Sequence, residues 1–429
     1  MLIQRRLALL VALLLVGCSQ AAQPTPAATL VSETTVATQP PVASVSMPTD
    51  APTAIPTDVP TAIAEEPTTL IPTALASEPV STQVPGPEAL VQAAAPALSE
   101  QIVLQLPPGN GDAQVAILPD PNDSSQVRGP GSFRIGSDAT IRVLDGGNKR
   151  ILFFSPDGKP GRVQPTNEAV DPIDYIVNNN GDVFVLDNGV LNQDTSTHTQ
   201  KQIVLYTPDG KLKTRYPIAD SVTANGIMLN TQQDLFVVLG SFYENPMTTV
   251  LFSAGKPIDI DHQTLTMHRG MPTPRSPMMF TSRVHPSSET GVGLDVLLAQ
   301  LARDPRLIMD NLALPSNAQF LNIDRAMNLY FMKFADEGNA VSVWRVAPDT
   351  SILGGGTIDI SGCQSFDWRS IYIAQDGEAW RMCSTAEGTT ISRYSLLGSD
   401  GQPLGPVEKM AEEASKNVPW APGGNFTAA

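Results

Sequence analysis

Cysteine, histidine and basic side chains are all scarce in this chain, and each shortage removes a class of function. Of 429 residues three are cysteine and four histidine, and no two cysteines stand at the spacing of a zinc finger or ribbon. No His-Glu-x-x-His and no Gly-x-Ser-x-Gly occurs, so the motifs of zinc peptidases and of α/β-hydrolase nucleophiles are missing. Lysine and arginine total 27 against 43 aspartate and glutamate, a formal charge of −16. A surface of that sign repels phosphate backbones, and no basic patch interleaved with aromatics offsets it; nucleic acid is not an expected partner. Long apolar runs are missing too. The uninterrupted run Leu7–Val16 has ten residues, too few to cross a bilayer.

That run follows Arg5 and Arg6, and a basic start before a short apolar core is the pattern of a secretory signal over residues 1–17. Its end, Leu15-Val16-Gly17-Cys18, resembles the lipobox of bacterial lipoproteins. The resemblance implies cleavage before Cys18 and acylation of that residue. The expected location is therefore extracytoplasmic, with the membrane a partner through an N-terminal lipid anchor; two or more acyl chains anchor stably where one is marginal.

Residues 18–100 have a different composition. From Ser19 to Glu100 there is no lysine, arginine or aromatic residue, and Pro, Thr, Ala and Val dominate. Pro48-Thr-Asp-Ala-Pro-Thr-Ala-Ile55 is followed by the near-duplicate Pro56-Thr-Asp-Val-Pro-Thr-Ala-Ile63. Frequent proline forbids helix interiors and sheet ladders, and nothing here builds a core, so a disordered linker is expected.

The folded part, 101–406, is organised by Gly131–Lys159. Strands over Phe133–Ile135, Ile141–Leu144 and Ile151–Phe154 alternate with turns at Ser137–Asp138, Asp145–Asn148 and Ser155–Gly158. The unit recurs over 173–211, and its Pro-Asp-Gly turn lies 52 residues beyond the first. Weaker copies follow at 226–255, 320–349 and 371–401. A period near 50 with four strands per unit predicts an all-β, six-bladed propeller of four-stranded antiparallel blades, with seven blades as the alternative. Val183–Leu186 and Leu235–Leu239 are apolar at every position, as expected where both faces of a sheet are covered. Two candidate strands before the first unit, Ile102–Leu106 and Gln114–Leu118, are available to complete the last blade.

Asp145, Gly147-Asn148, Arg150-Ile151 and Pro156-Asp157-Gly158 resemble the NHL-type propeller repeat. The second unit keeps Asp187, Asn188-Gly189 and Pro208-Asp209-Gly210, with Gln202 in place of the arginine. The resemblance implies ligand or partner binding, with some lactonases and lyases in such families.

Between 256 and 314 the pattern breaks. Leu294, Leu297, Leu298 and Leu301 recur at helical spacing and predict a helical insertion near 290–303, while Met278–Arg283 is expected to supply part of a fourth blade. Gly354-Gly-Gly356 reads as a crossover between blades. Residues 407–429 read as a helix over Val407–Lys416 and a frayed tail.

The remaining chemistry is thin. Asp259, Asp261, His262 and His268 form a compact group of metal-ligating types, for which an ordinary exposed turn is the stronger reading; no metal site is assigned. Asp145 and Asp187 read as caps of turn amides rather than as a cation site. Cys363 and Cys383 form a disulfide candidate. The loop between second and third strands is short in the first unit, Gly146–Lys149, and longer in the others, over 188–201, 240–249, 333–340 and 383–389. These loops share one face with the blade-to-blade crossovers, and insertions on one face of a repeat fold mark a binding face. Asn192, Asp194, His198, Phe242, Tyr243, Glu244, Asp336 and Glu337 are the candidate binding residues there, suited to a carbohydrate, a peptide or another envelope protein. The expected function is a lipid-anchored binding or scaffold module needing no cofactor. The alternative is a lactonase-like hydrolase using a divalent cation such as calcium.

Overall fold

The structure is a computed structural model that describes residues 96–120, 123, 125–192, 194–195, 197–239, 247–253, 256–257, 267–286, 291–299, 305–422 and 424. All of these lie in one compact unit, Ser81–Ala429; the signal, Cys18 and nearly all of the linker lie outside the described residues, as do Phe242, Tyr243, Glu244, Asp259, Asp261 and His262.

Six antiparallel sheets follow one another along the chain and form a six-bladed propeller. Blade 1 runs Ser132–Ile135, Ile141–Asp145, Arg150–Phe154 and Pro160–Pro165. Blade 2 comprises Pro172–Val177, Val183–Asp187, Gln202–Tyr206 and Leu212–Pro217. Blade 3 contains Ala224–Leu229, Leu235–Leu239 and Met247–Ser253, with the short strands Lys256–Pro257 and Met267–Arg269 both on its outer side. Met271–Pro272, Met279–Val284, Val292–Ala299 and Arg306–Pro315 make blade 4. Blade 5 is Gln319–Ile323, Leu329–Phe334, Ala340–Val346 and Ile352–Asp359. Blade 6 takes Ile371–Ile373, Ala379–Thr385 and Gly388–Tyr394 from the C-terminal end, and Gln101–Leu106 from the start of the domain as its outermost strand. That pairing, Gln101↔Arg393 to Leu106↔Thr389, closes the ring.

Turn chemistry sets the strand ends. Asn178 Oδ1 accepts the N–H groups of Asn180 and Asp182, and Asn230 Oδ1 those of Gln232 and Asp234. Asp324 Oδ1 accepts those of Ala326 and Asn328. One short polar side chain thus caps the first turn of each of these blades.

The core lies between blades. In Val183–Asp187, Val183 and Val185 pack toward blade 1 with Leu144 and Ile151, while Phe184 and Leu186 pack toward blade 3 with Ile227 and Val237. A strand sandwiched on both faces has no polar side to show, so its sequence does not alternate. Phe280 of blade 4 stacks on Phe320 of blade 5 with ring centroids 4.5 Å apart.

Four expectations need correction. Residues 292–299 are a strand, not a helix: Leu294, Val296 and Leu298 are buried on one face, so a two-residue period underlies a leucine spacing that also fits a helix. Gly354-Gly-Gly356 lies inside the outer strand of blade 5, where Gly354 and Gly355 pair with Gly398 and Leu397 and Gly356 receives Leu98. The C-terminal helix is only Glu412–Ser415, and Val418, Trp420 and Ala421 after it are buried rather than frayed. Trp420 is fully buried, edge-on to Phe280, and its Nε1 donates to the Met327 carbonyl at 3.1 Å. Gln114–Leu118 is not a strand of blade 6; Val115 makes one bridge to Pro108, and Leu118–Pro119 pairs with Val127–Arg128.

Candidate functional site

In a four-stranded meander the second turn of each blade and the crossover to the next blade emerge on the same face. On this face, where blades 6, 1 and 2 meet, the structure has a cavity of about 140 Å³. Its walls are Arg128, Gly129 and Gly131 at the entry to blade 1, Gly146 and Gly147 in that blade's second turn, Asp171 and Ile173 at the entry to blade 2, and Ser365, Asp367, Arg369 and Ser370 at the entry to blade 6.

Glycine is required here by close approach. A Cβ on Gly131 would stand 2.6 Å from the Ile173 carbonyl oxygen, and one on Gly146 2.5 Å from that of Pro172, so side chains at either position would force blades 1 and 2 apart. The charged groups are paired, one pair across the boundary of blades 1 and 2 and the other within the entry to blade 6. Arg128 Nη2 donates to Asp171 Oδ1 at 2.7 Å, and Arg369 Nε donates to Asp367 Oδ2 at 2.9 Å while its Nη1 reaches the Ile173 carbonyl at 2.8 Å. Asp367 also caps the 3-10 turn Trp368–Ser370: its Oδ1 accepts the Arg369 N–H, and Ser370 Oγ accepts the Asp367 N–H. Two guanidinium groups and two carboxylates leave the cavity locally neutral inside an acidic protein.

The same 3-10 turn carries Trp368 across the centre of the ring. Trp368 precedes blade 6, yet a Cβ on Gly226 of blade 3, the opposite blade, would lie 2.7 Å from its Cζ2. Around it the polar groups of the inner strands are spent on holding blades together. Asp174 of blade 2 accepts from Arg134 of blade 1 at 2.8 Å and from the Ile227 N–H of blade 3 at 2.9 Å. Thr273 of blade 4 donates to Asn322 of blade 5, whose Nδ2 donates to the Ile373 carbonyl of blade 6. No convergent set of free acids faces the axis among the described residues.

Asp145 and Asp187 are buried caps. Asp145 accepts from the Ala116 N–H, from Asn148 Nδ2 and from Arg150 Nε, and Arg150 in turn holds the carbonyls of Asn110, Gly111 and Gln114. Asp187 accepts the N–H groups of Val170, Asp171 and Gly189, with Gln202 replacing the arginine. Both therefore fasten the crossover entering their own blade, and Asp187 thereby fixes the backbone of Asp171 at the cavity.

Among the described candidate binding residues only His198 comes near the cavity. It sits in a hairpin, Val190–Asn192 with Thr197–Thr199, that rises from blade 2, and its Nδ1 is 3.9 Å from Asp171 Oδ2. Asn192 and Asp194 are exposed in the same hairpin, Asn192 accepting the Asp194 N–H. Asp336 and Glu337 are exposed at a short turn of blade 5, away from it. The elongated loop expected in blade 6 is absent: its strands run on until Thr385 pairs with Gly388. Arg128, Asp171, Asp367 and Arg369 are not legible in the sequence because crossovers carry no repeat pattern; the available signal is Gly-Pro-Gly at 129–131, directly after an arginine. Cys363 and Cys383 are joined by a disulfide that ties the entry to blade 6 to its second strand, Cα atoms 5.1 Å apart.

No protein-family model matches the chain, and no curated protein does. Solved structures similar to it are propellers of distant sequence. The WD40 domain of Pan2 from Neurospora crassa is 8% identical over 65% of this chain and 78% of its own, with a TM-score of 0.37. Virginiamycin B lyase from Staphylococcus aureus is 13% identical over 66% of this chain and 99% of its own, at 0.32. The calcium-binding protein regucalcin from Agrobacterium tumefaciens is 10% identical over 73% and 99%, at 0.36. Likenesses this remote say nothing of ligand or reaction.

Proposed function

We propose that this protein is a lipid-anchored, extracytoplasmic binding module of NHL-like repeats, and that its ligand site is the cavity between blades 6, 1 and 2. The cavity carries this reading: it is built of crossover residues that glycine holds close, and it offers donors and acceptors of both signs without net charge. Such a lining suits a neutral polar group, and the volume suits one sugar ring or one amino-acid side chain projecting from a larger carbohydrate or peptide. The His198 hairpin beside it is placed to extend the contact. The disulfide supports an oxidising compartment, in keeping with the lipobox ending at Cys18.

The test is a fragment screen of monosaccharides and short peptides followed by NMR. The chain has four tryptophans, and Trp368 stands in sequence between the wall residues Asp367 and Arg369, so its indole N–H is an assignable probe. Ligands that shift it in the wild type should leave it unmoved in Ser365→Trp, which fills the cavity. Hits that bind both proteins equally count against the site. Anchoring is tested separately: Cys18→Ser should move the protein from membranes to a soluble fraction, and unchanged fractionation refutes the lipid anchor.

A further inference from the structure

We propose that His285, Asp295 and Asp310 form a binding site for a divalent transition-metal ion at the crossover-face end of blade 4. Three adjacent strands position one residue each. His285 follows Met279–Val284 directly, Asp295 lies in Val292–Ala299, and Asp310 lies in Arg306–Pro315. Their ligand atoms all fall within 4.8 Å of one another, with His285 Nδ1 2.7 Å from Asp295 Oδ1 and 3.3 Å from Asp310 Oδ1. Ligands about 2.0–2.1 Å from a tetrahedral zinc ion stand roughly 3.3 Å apart, so small rotations of these side chains admit an ion without moving the backbone.

The backbone holds the three in place. The His285 N–H donates to the Gly293 carbonyl at 3.0 Å, tying the first strand to the second beside the site. The ladder between the second and third is irregular from Leu294 to Leu297, and within it the Asn311 N–H, from a residue with φ of 46°, donates to Asp295 Oδ1. This bulge turns Asp310 toward His285.

Asp295 is the least ordinary member. It is 1% exposed between Leu294 and Val296, in a strand that otherwise buries aliphatic residues. Burial pushes its carboxyl up, but hydrogen bonds from His285, the Asn311 N–H and Arg283 outweigh this and hold it below the usual carboxylate range. Arg283 Nε binds its other oxygen at 3.0 Å, orienting the carboxylate as outer partners of metal ligands do. Two carboxylates against the one guanidinium of Arg283 leave the group acidic, which a dication satisfies. Asp310 is 67% exposed, leaving solvent free to complete the coordination. One imidazole nitrogen with two carboxylate oxygens suits zinc, cobalt or manganese, whereas calcium and magnesium prefer all-oxygen shells.

The full chain, disulfide intact and stripped with a chelator, should be titrated with Zn²⁺ by calorimetry and with Co²⁺ by visible absorption. One saturable site is expected, with Ca²⁺ in excess failing to displace the metal. Asp310→Asn, at an exposed position, should keep the melting temperature and weaken binding at least tenfold. His285→Gln should remove the Co²⁺ ligand-field bands. Failure of the wild type to bind saturably, retention of full affinity by both variants, or displacement by Ca²⁺ would each overturn the assignment.

Discussion

Trp368 of blade 6 rests on the bare Cα of Gly226 of blade 3, the blade across the ring. The contact admits no methyl group, since the Cβ of an alanine would lie 2.7 Å from the indole and 3.1 Å from Asp174 Oδ2. Gly226→Ala should therefore cost about 1–3 kcal/mol of stability through overpacking. Trp368→Phe should recover part of that loss, giving a non-additive double-mutant cycle by urea denaturation. Additive effects would mean the two residues do not touch.

The N-terminal edge of the domain lies further out than the strand pattern indicates. Leu98 donates to the Thr357 carbonyl, Thr357 donates to that of Pro96, and Glu100 pairs with Arg381 and Ser392. Chains beginning at Ser19 and at Pro96 should melt together, and one beginning at Gln101 should melt lower. One beginning at Pro107 loses the closing strand and should aggregate through the exposed edge of blade 6. Light scattering and calorimetry distinguish these outcomes, and equal melting of the Pro96 and Gln101 chains would show that the extra residues contribute nothing.

Reduction should weaken blade 6. The disulfide closes a loop with a sequence separation of 20, for which chain entropy alone predicts about 3 kcal/mol. Cys363→Ser with Cys383→Ser should lower the unfolding free energy by that order in denaturant melts. The wild type with reductant should behave like the double variant.

Glu378 makes the stability of blade 6 depend on pH. Burial raises its carboxyl above the ordinary 4.5, the nearby Asp376 adds to this, and Arg393 opposes it. The folded state then holds the proton more tightly than the unfolded one, so stability falls as pH rises from about 4.5 through the raised value. Glu378→Gln has no such proton to lose. The stability difference, variant minus wild type, should climb across that window and level off above it. A flat difference would show that Glu378 titrates normally.

The blades were legible because turns and strands report locally. Asp145, Asn148 and Pro156-Asp157-Gly158 mark chain reversals whatever surrounds them, and the unbroken apolar run at 183–186 implies two covered faces. Blade 4 was not, because Leu294, Leu297, Leu298 and Leu301 satisfy a helical period while Leu294, Val296 and Leu298 satisfy a strand's. Only packing against blade 5 decides between them. The same ambiguity hid Asp295, which in a helix is one more polar face and in a buried strand is an anomaly. The cavity was illegible for a different reason. Arg128 and Asp171 are 43 residues apart, and Arg369 is 196 from Ile173, so no local pattern joins them.

Ring closure also fixes an order of assembly. Gln101–Leu106 leaves the ribosome before any blade, yet the residues it pairs with come some 290 positions later, as in the Gln101–Arg393 contact with a separation of 292. Five blades can stack while their sixth is unfinished, but the first strand made must wait for nearly the whole domain before it finds a neighbour. Until then the nascent chain carries a solitary strand at one end and, once Gly388–Tyr394 has emerged, a vacant ladder at the other. Two such chains side by side can each complete the other's ring, which makes exchange of this strand between molecules the error most open to crowded synthesis.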